Sequence, residues 1–439
     1  MRNRTKRIGI ACLIPVVLIL LISILLYIPP FQNFAVRFAT QQISEATGMQ
    51  IGIGKIHLSF PLNLNVQRVN VIQTTDTLLA LDRFQINIRL LPLLKKKITV
   101  DAVSLQGVKV DSKDFIEGIV LKGSLGKLYA KADQINLKNE TVQLNQINLS
   151  DTDLTLHLKD STESDTTSTP TNWKITLDQI QLDRIALAMQ MGSDSLHLSS
   201  YIHEAGLTKG FLDLGKEHYK VNQFFISNSS LTYDENNKSP IQGFDASHVA
   251  LSDMQILIDS LLYEGKKMRG QIKTCSFHER SGLSVSSLIG GIVSDDSTLQ
   301  IPQLELRTPY SQIHLQAHIP WSTLAENPQG NLVSELTASL GKEDLFTFIG
   351  ELPEDFKQAY PNSSLNISSQ IEGNLSSMAL RVFKGELHEA FDFHLSGEIK
   401  AVTDSVHRSG KLQLNAQTGN MDFLLSLLPA DQRARYRLP

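Results

Sequence analysis

Residues 51–66 read IGIGKIHLSFPLNLNV. Ile51 and Ile53, then Ile56, Leu58 and Phe60, then Leu62, Leu64 and Val66 are set off by small or polar residues. Successive side chains of a strand point to opposite faces, so this period of two describes strands with one apolar face. The alternation continues through most of the chain beyond Gly48 and predicts strand after strand with few helices. A short pattern returns within it: apolar, Asp or Asn, any, apolar, any, apolar. It stands at Leu81-Asp82-Arg83-Phe84-Gln85-Ile86, Val100-Asp101-Ala102-Val103-Ser104-Leu105 and Leu144-Asn145-Gln146-Ile147-Asn148-Leu149. Further copies are Leu177-Asp178-Gln179-Ile180-Gln181-Leu182 and Val221-Asn222-Gln223-Phe224-Phe225-Ile226, with Ile301-Pro302-Gln303-Leu304-Glu305-Leu306 a looser relative. The copies beginning at 100, 144, 177 and 221 are 44, 33 and 44 residues apart, which predicts stacked β-meanders rather than a fixed-period solenoid.

The amino terminus is of another kind. Residues 1–7 carry Arg2, Arg4, Lys6 and Arg7, and residues 8–28 (IGIACLIPVVLILLISILLYI) carry no charge. As a helix the second stretch would be roughly 32 Å long, enough to cross a bilayer core. The basic tail predicts a cytoplasmic N-terminus with the body on the far side. A cleaved signal peptide would have a shorter apolar region followed by small residues, whereas Tyr27-Ile28-Pro29-Pro30-Phe31 follows here. Pro29-Pro30 ends the span. Phe31, Phe34, Ala35, Phe38, Ile43 and Ala46 then recur at helical spacing, which predicts an amphipathic helix over 29–48. That helix either caps the end of the β body or lies on the membrane surface.

The remaining organisation follows from composition. Residues 49–159 form a first β-rich domain, 160–172 (DSTESDTTSTPTN) a polar loop, and 173–439 a continuation of the repetitive β body. The basic block Lys95, Lys96 and Lys97 after Leu90-Leu91-Pro92-Leu93-Leu94 has two readings. It guards a sheet edge against pairing, or it contacts anionic lipid headgroups. Near the end a longer unit repeats. Gly341-Lys342-Glu343-Asp344-Leu345-Phe346, with Leu352-Pro353-Glu354-Asp355 and Tyr360, returns as Gly419-Asn420-Met421-Asp422-Phe423-Leu424 with Leu428-Pro429-Ala430-Asp431 and Tyr436. In the first copy a strand follows at Leu365. The expectation is that the chain is the front part of a longer protein.

The whole chain of 439 residues is 41% hydrophobic and 20% charged, so it is neither disordered nor a membrane bundle. Its net charge of −4 argues against nucleic acid as a partner. Two cysteines exclude a disulfide scaffold and a cysteine-based zinc site. No His-Glu-x-x-His pair, Gly-x-Ser-x-Gly elbow, phosphate loop or dinucleotide fingerprint is present. The densest polar cluster, Glu386, His388, Glu389, Asp392 and His394, reads as a solvated strand face. The reading is therefore non-enzymatic, with no metal or cofactor.

A half-buried sheet must cover its apolar face with something. A second sheet would give a closed sandwich; a strongly twisted sheet instead wraps the face into a groove. An apolar groove is costly in water and marks a binding site. The candidate groove residues are Val103, Leu105, Ile147, Leu149, Ile180, Leu182, Phe224 and Ile226.

The order of features in residues 1–111 resembles the amino-terminal region of the AsmA/TamB-like family of envelope proteins. The resemblance is carried by the basic tail, the span 8–28 and Pro29-Pro30 with a helix ending in Thr47-Gly48. It continues in Ile51-Gly52-Ile53-Gly54-Lys55-Ile56, Leu62-Asn63-Leu64-Asn65-Val66, Leu90 to Val100 and Val103-Ser104-Leu105-Gln106-Gly107-Val108-Lys109-Val110. It implies a mostly β fold: a single N-terminal transmembrane helix, a short amphipathic helix, then an elongated, curved antiparallel meander forming a β-groove, with few short helices. It implies an anchor in the inner membrane and a periplasmic body that guides phospholipid acyl chains between inner and outer membranes. The alternative it implies is an outer-membrane protein assembly factor acting with a barrel partner.

Overall fold

The computed structural model describes residues 29–59, 62–89, 100–113, 118–136, 139–158, 172–192, 196–235, 238–265 and 267–428. The anchor 8–28, the block Lys95–Lys97 and most of the polar stretch 160–172 lie outside these residues. Among the described residues no helix is long and apolar enough to cross a membrane. The described residues are mostly β, with twenty strands and a few helices among them.

Two units divide the chain, one of Met1–Thr167 with Ile175–Ser193, the other of Ser168–Lys174 with Asp194–Pro439. The first holds α1 (Pro29–Thr47), β1 (Gln50–Ser59), β2 (Asn63–Gln73), β3 (Asp76–Ile88), β4 (Val100–Asp111), β5 (Ile119–Asn136), β6 (Thr141–Leu158) and β7 (Lys174–Met191). From β1 to β6 each strand pairs antiparallel with the next. β7 departs from the meander. Asn145 Nδ2 donates to Asp178 at 3.0 Å, Arg184 donates to Asp151 at 2.8 Å, and Gly192 N–H donates to the Leu158 carbonyl. The two side-chain bonds share an offset of 33 residues, so β7 runs in the same direction as β6. A parallel neighbour needs a connection of a dozen or more residues, and β6 ends at Leu158 while β7 begins at Lys174.

α1 caps the edge of β1 through polar groups. Gln32 is buried; its amide donates to the Leu58 carbonyl at 3.3 Å and accepts from the Leu58 N–H at 3.4 Å. Ser44 Oγ accepts from the Ile51 N–H at 3.3 Å. Phe34 and Phe38 of the apolar stripe are 66% and 59% exposed. Two backbone donors and an acceptor on the strand edge are satisfied by helix side chains, and that requirement orients the helix.

The second unit holds β8 (Leu196–Asp213), β9 (His218–Glu235), β10 (His248–Glu264), β11 (Lys267–Glu279), β12 (Ser284–Val285), β13 (Ser287–Ser294), β14 (Thr298–Arg307) and β15 (Gln312–Pro320). It continues with β16 (Leu332–Leu340), α2 (Lys342–Ile349), α3 (Glu354–Ala359), β17 (Leu365–Gly373), β18 (Ser377–Leu387), β19 (Phe391–Lys400), β20 (Ser409–Thr418) and α4 (Asp422–Leu425). Sequential antiparallel pairing runs through it, with the short β12 joining only β11.

The late repeat is a structural unit. α2 and α3 sit between β16 and β17, and α4 follows β20. Phe356 and Tyr360 of the first copy meet Phe423 of the second, with ring centroids 5.6 Å and 5.3 Å apart. Leu387 and Ala390 complete this buried cluster, with Leu345, Phe346 and Leu352 against it. Leu387 is 1% exposed. Replacing it with Ala is expected to lower stability by about 2–5 kcal/mol, read as a lower urea midpoint.

One device recurs across the first sheet. Strictly alternating strands would place Leu81 and Phe84, three residues apart, on opposite faces. Yet Leu79, Leu81, Phe84 and Ile86 are half-buried while Asp82 and Arg83 are both exposed. The break falls where pairing lapses on every strand: Gly54 faces Arg68, Arg68 faces Asp82, Asp82 faces Gly107, Gly107 faces Gly126, and Gly126 faces Asp151. Arg68, Gly107, Asp151 and, on β7, Arg184 have φ of 55°, 64°, 54° and 52°. A left-handed residue in mid-strand shifts the phase of alternation, so the apolar set returns to the same face beyond the seam. The recurring Asp or Asn marks such breaks elsewhere. Asp101 and Asn145 stand in register shifts, and Asn222 faces Lys209 and Ser260, whose φ are 50° and 57°. Pro302 stands in the shift between Ile301 and Leu304.

Candidate functional site

Register fixes which side chains share a face. In the first unit Leu58, Leu64, Ile86, Val103, Ala130 and Ile147 stand opposite one another in turn across β1 to β6. Beside them run Ile56, Val66, Phe84, Leu105, Leu128 and Leu149. The 33-residue offset places Ile180 beside Ile147 and Leu182 beside Leu149. Beyond the seam a third row, Ile53, Val69, Leu81, Val108 and Leu125, extends the apolar area. The intervening rows are polar: His57, Asn65, Gln85, Ser104, Tyr129 and Asn148 form one of them. Six strands at about 4.8 Å spacing make the apolar face roughly 24 Å across.

Six of the eight residues expected to line a groove thus fall in two adjacent rows of one face. Phe224 and Ile226 lie on β9 of the second unit. Phe224 belongs to a long apolar row there. Leu207, Phe224, Ile258 and Ile272 lead through Gly290 to Leu304, Leu315 and Leu336. Ser369 interrupts it, and Phe383, Leu395 and Leu414 carry it to β20. Ile226 pairs with Ala205 and Ile256.

All eight residues are half-buried. In the first unit's two central rows Val66 alone is buried, at 6% exposure. Among the described residues of that unit no second sheet or helix layer opposes these rows, and the main packing partner of α1 is β1. Neighbours within the sheet shield each side chain laterally, and the tops of the side chains remain accessible. Residues 56, 58, 64, 66, 84, 86, 128 and 130 belong to the same surface and were absent from the sequence-based set. Their signal is the alternation itself, which needs the register to be assembled into a surface.

The polar cluster near residue 390 resolves into strand pairing. Glu386 stands opposite Asp392 and Lys384 opposite His394, while His388 is in the exposed turn between β18 and β19. Lys384 and Glu386, with His314, Thr337 and Ser368, line a shallow trough of about 340 Å³ on the polar face of β15 to β18. No group of three or more His, Cys, Asp or Glu suited to a metal ion occurs among the described residues. In comparisons with known proteins, no family model matches the chain and no curated protein matches it.

Proposed function

We propose that this is a non-enzymatic envelope protein whose sheets hold phospholipid acyl chains on their apolar faces and guide them between inner and outer membranes. The observation that carries the reading is the uncovered pair of apolar rows through Val103, Leu105, Ile147 and Leu149. At about 0.8 kcal/mol per buried methylene, roughly ten methylenes laid on such a face would contribute about 8 kcal/mol before ordering costs. An uncharged span at 8–28 and the exposed Phe34 and Phe38 on α1 support an inner-membrane anchor with the body in the periplasm. Lys95, Lys96 and Lys97 are the proposed headgroup contacts. The resemblance to AsmA/TamB-like proteins supports the same reading.

The test is mass spectrometry of lipids that co-purify with residues 29–439 released without detergent. Several phospholipids per chain are expected. A lipid-free chain would overturn the proposal. The second reading, an assembly factor for outer-membrane proteins with a barrel partner, is supported by the same resemblance.

A further inference from the structure

We propose that the polar face of β1 to β6, the reverse of the acyl-binding face, docks on an anionic lipid surface. This docking rests on the membrane anchor proposed above and is independent of acyl binding. Three rows make up the face. The middle one is the row of His57 and Tyr129. Lys55, Gln67, Arg83, Gln106, Lys127 and Ser150 run on one side of it. Ser59, Asn63, Asn87, Ala102, Lys131 and Gln146 run on the other. The three rows hold the cations Lys55, Arg83, Lys127 and Lys131 and neither Asp nor Glu. In a chain whose net charge is −4, this gathers one sign on one surface.

All four cations are exposed, and none joins an ion pair among the described residues. Other cations of the unit are paired: Arg89 with Asp101, Lys113 with Asp111 and Arg184 with Asp151. On β7 the 33-residue offset sets Asp183 beside Ser150, but Arg184 also engages that carboxylate. Beyond the seam the face is mixed in sign, since Lys109 shares a row with Asp153.

The spacing fits an array of anions better than a single one. Lys55, Arg83 and Lys127 stand on every second strand, about 10 Å apart, and Lys131 lies about 13 Å along β5 from Lys127. Such a spread matches the phosphates of a lipid leaflet. Between the two lysines of β5 stands Tyr129, 36% exposed; tyrosine rings favour the headgroup level of a bilayer. The chain itself brings the face to a membrane. The uncharged span 8–28 ends where α1 begins at Pro29, and Gln32 and Ser44 of α1 are hydrogen-bonded to β1, the first strand of the face. Charge complementarity then selects leaflets that contain anionic lipid.

The test adds the full chain to liposomes of phosphatidylcholine alone, or of phosphatidylcholine and phosphatidylglycerol in equal parts, and reads acetylation of lysine amines by mass spectrometry. Reactivity of Lys55, Lys127 and Lys131 is expected to be about tenfold lower with the anionic liposomes. It is expected to recover in 1 M salt, where the Debye length is about 3 Å. Lys273 and Lys411 of the second unit, both exposed, are expected to react equally in the two mixtures. In R83Q/K127Q, Lys55 and Lys131 remain as reporters. Loss of two cations is expected to weaken docking about thirtyfold and to restore their reactivity. Amide exchange in β1 to β6 should stay unchanged, because both substituted side chains are exposed. Three results would overturn the proposal: equal reactivity in both mixtures, an equal fall at Lys273 and Lys411, or a fall that persists in R83Q/K127Q. Flotation with the neutral liposomes reads the anchor separately. A chain that floats without the charge-dependent fall refutes the face alone, and one that does not float refutes the anchor while the anionic liposomes still test the face.

Discussion

A chain carrying L105E and L149E is expected to retain about a tenth or less of the phospholipid that co-purifies with the parent chain, and to remain folded. Both leucines lie in one apolar row, on β4 and β6 with Leu128 between them. A carboxylate covered by an acyl chain loses its water and gains no partner, a penalty of several kcal/mol, and each 1.4 kcal/mol is tenfold in occupancy. Without lipid the same carboxylate sits at a half-buried position and keeps part of its hydration, so folding bears a smaller cost. Two strand spacings put the new charges about 10 Å apart, near the Debye length at 0.1 M salt, so their mutual repulsion is weak. The control is S104E/N148E, which adds the same charge to the same two strands on the opposite face. Lipid retained equally in both variants would show that acyl chains do not lie on this face.

The sequence reveals the strands more clearly than it reveals the site. Alternation at Ile51–Ile53 and Leu62–Val66 is enough to place β1 and β2, because period two is a property of single strands. The recurring Asp or Asn is also visible, yet its meaning is not. Two apolar residues three apart look like noise in a period of two until Arg68, Gly107 and Asp151 are seen to carry positive φ on one line. The step of 33 residues between Leu144 and Leu177 was likewise readable as a number. It is the register of a parallel pair, held by Asn145 to Asp178 and Asp151 to Arg184. Which apolar residues form a surface depends on register, which is a relation between strands. Phe84 and Leu128 became part of the site only once their neighbours Leu105 and Leu149 were known. The edge function of Gln32 was hidden for a related reason: its partners on Leu58 are backbone groups, which leave no mark in the side-chain pattern.

Gly123→Ala is expected to be the most destabilising single-methyl change in the first unit. Gly123 has φ of +142°, a region open to glycine and costing other residues about 1–3 kcal/mol. A Cβ there would lie 2.0 Å from the Asp153 carbonyl oxygen and 3.0 Å from Leu154 Cα. Those atoms are the backbone of β6, so no rotamer change relieves the contact. Relief requires β5 to move off β6 where Gly123 pairs with Val110 on one side and Leu154 on the other. The combined loss is expected to be about 3–5 kcal/mol, seen as a lower urea midpoint and as faster amide exchange in β5 and β6. Gly118→Ala separates the two contributions. Gly118 has φ of +74°, but an added Cβ meets nothing within 4 Å. It should cost only the conformational part, about 1–2 kcal/mol. If the two variants lose the same stability, the close approach of β5 to β6 contributes nothing, and the strands at this point have room for an added methyl group.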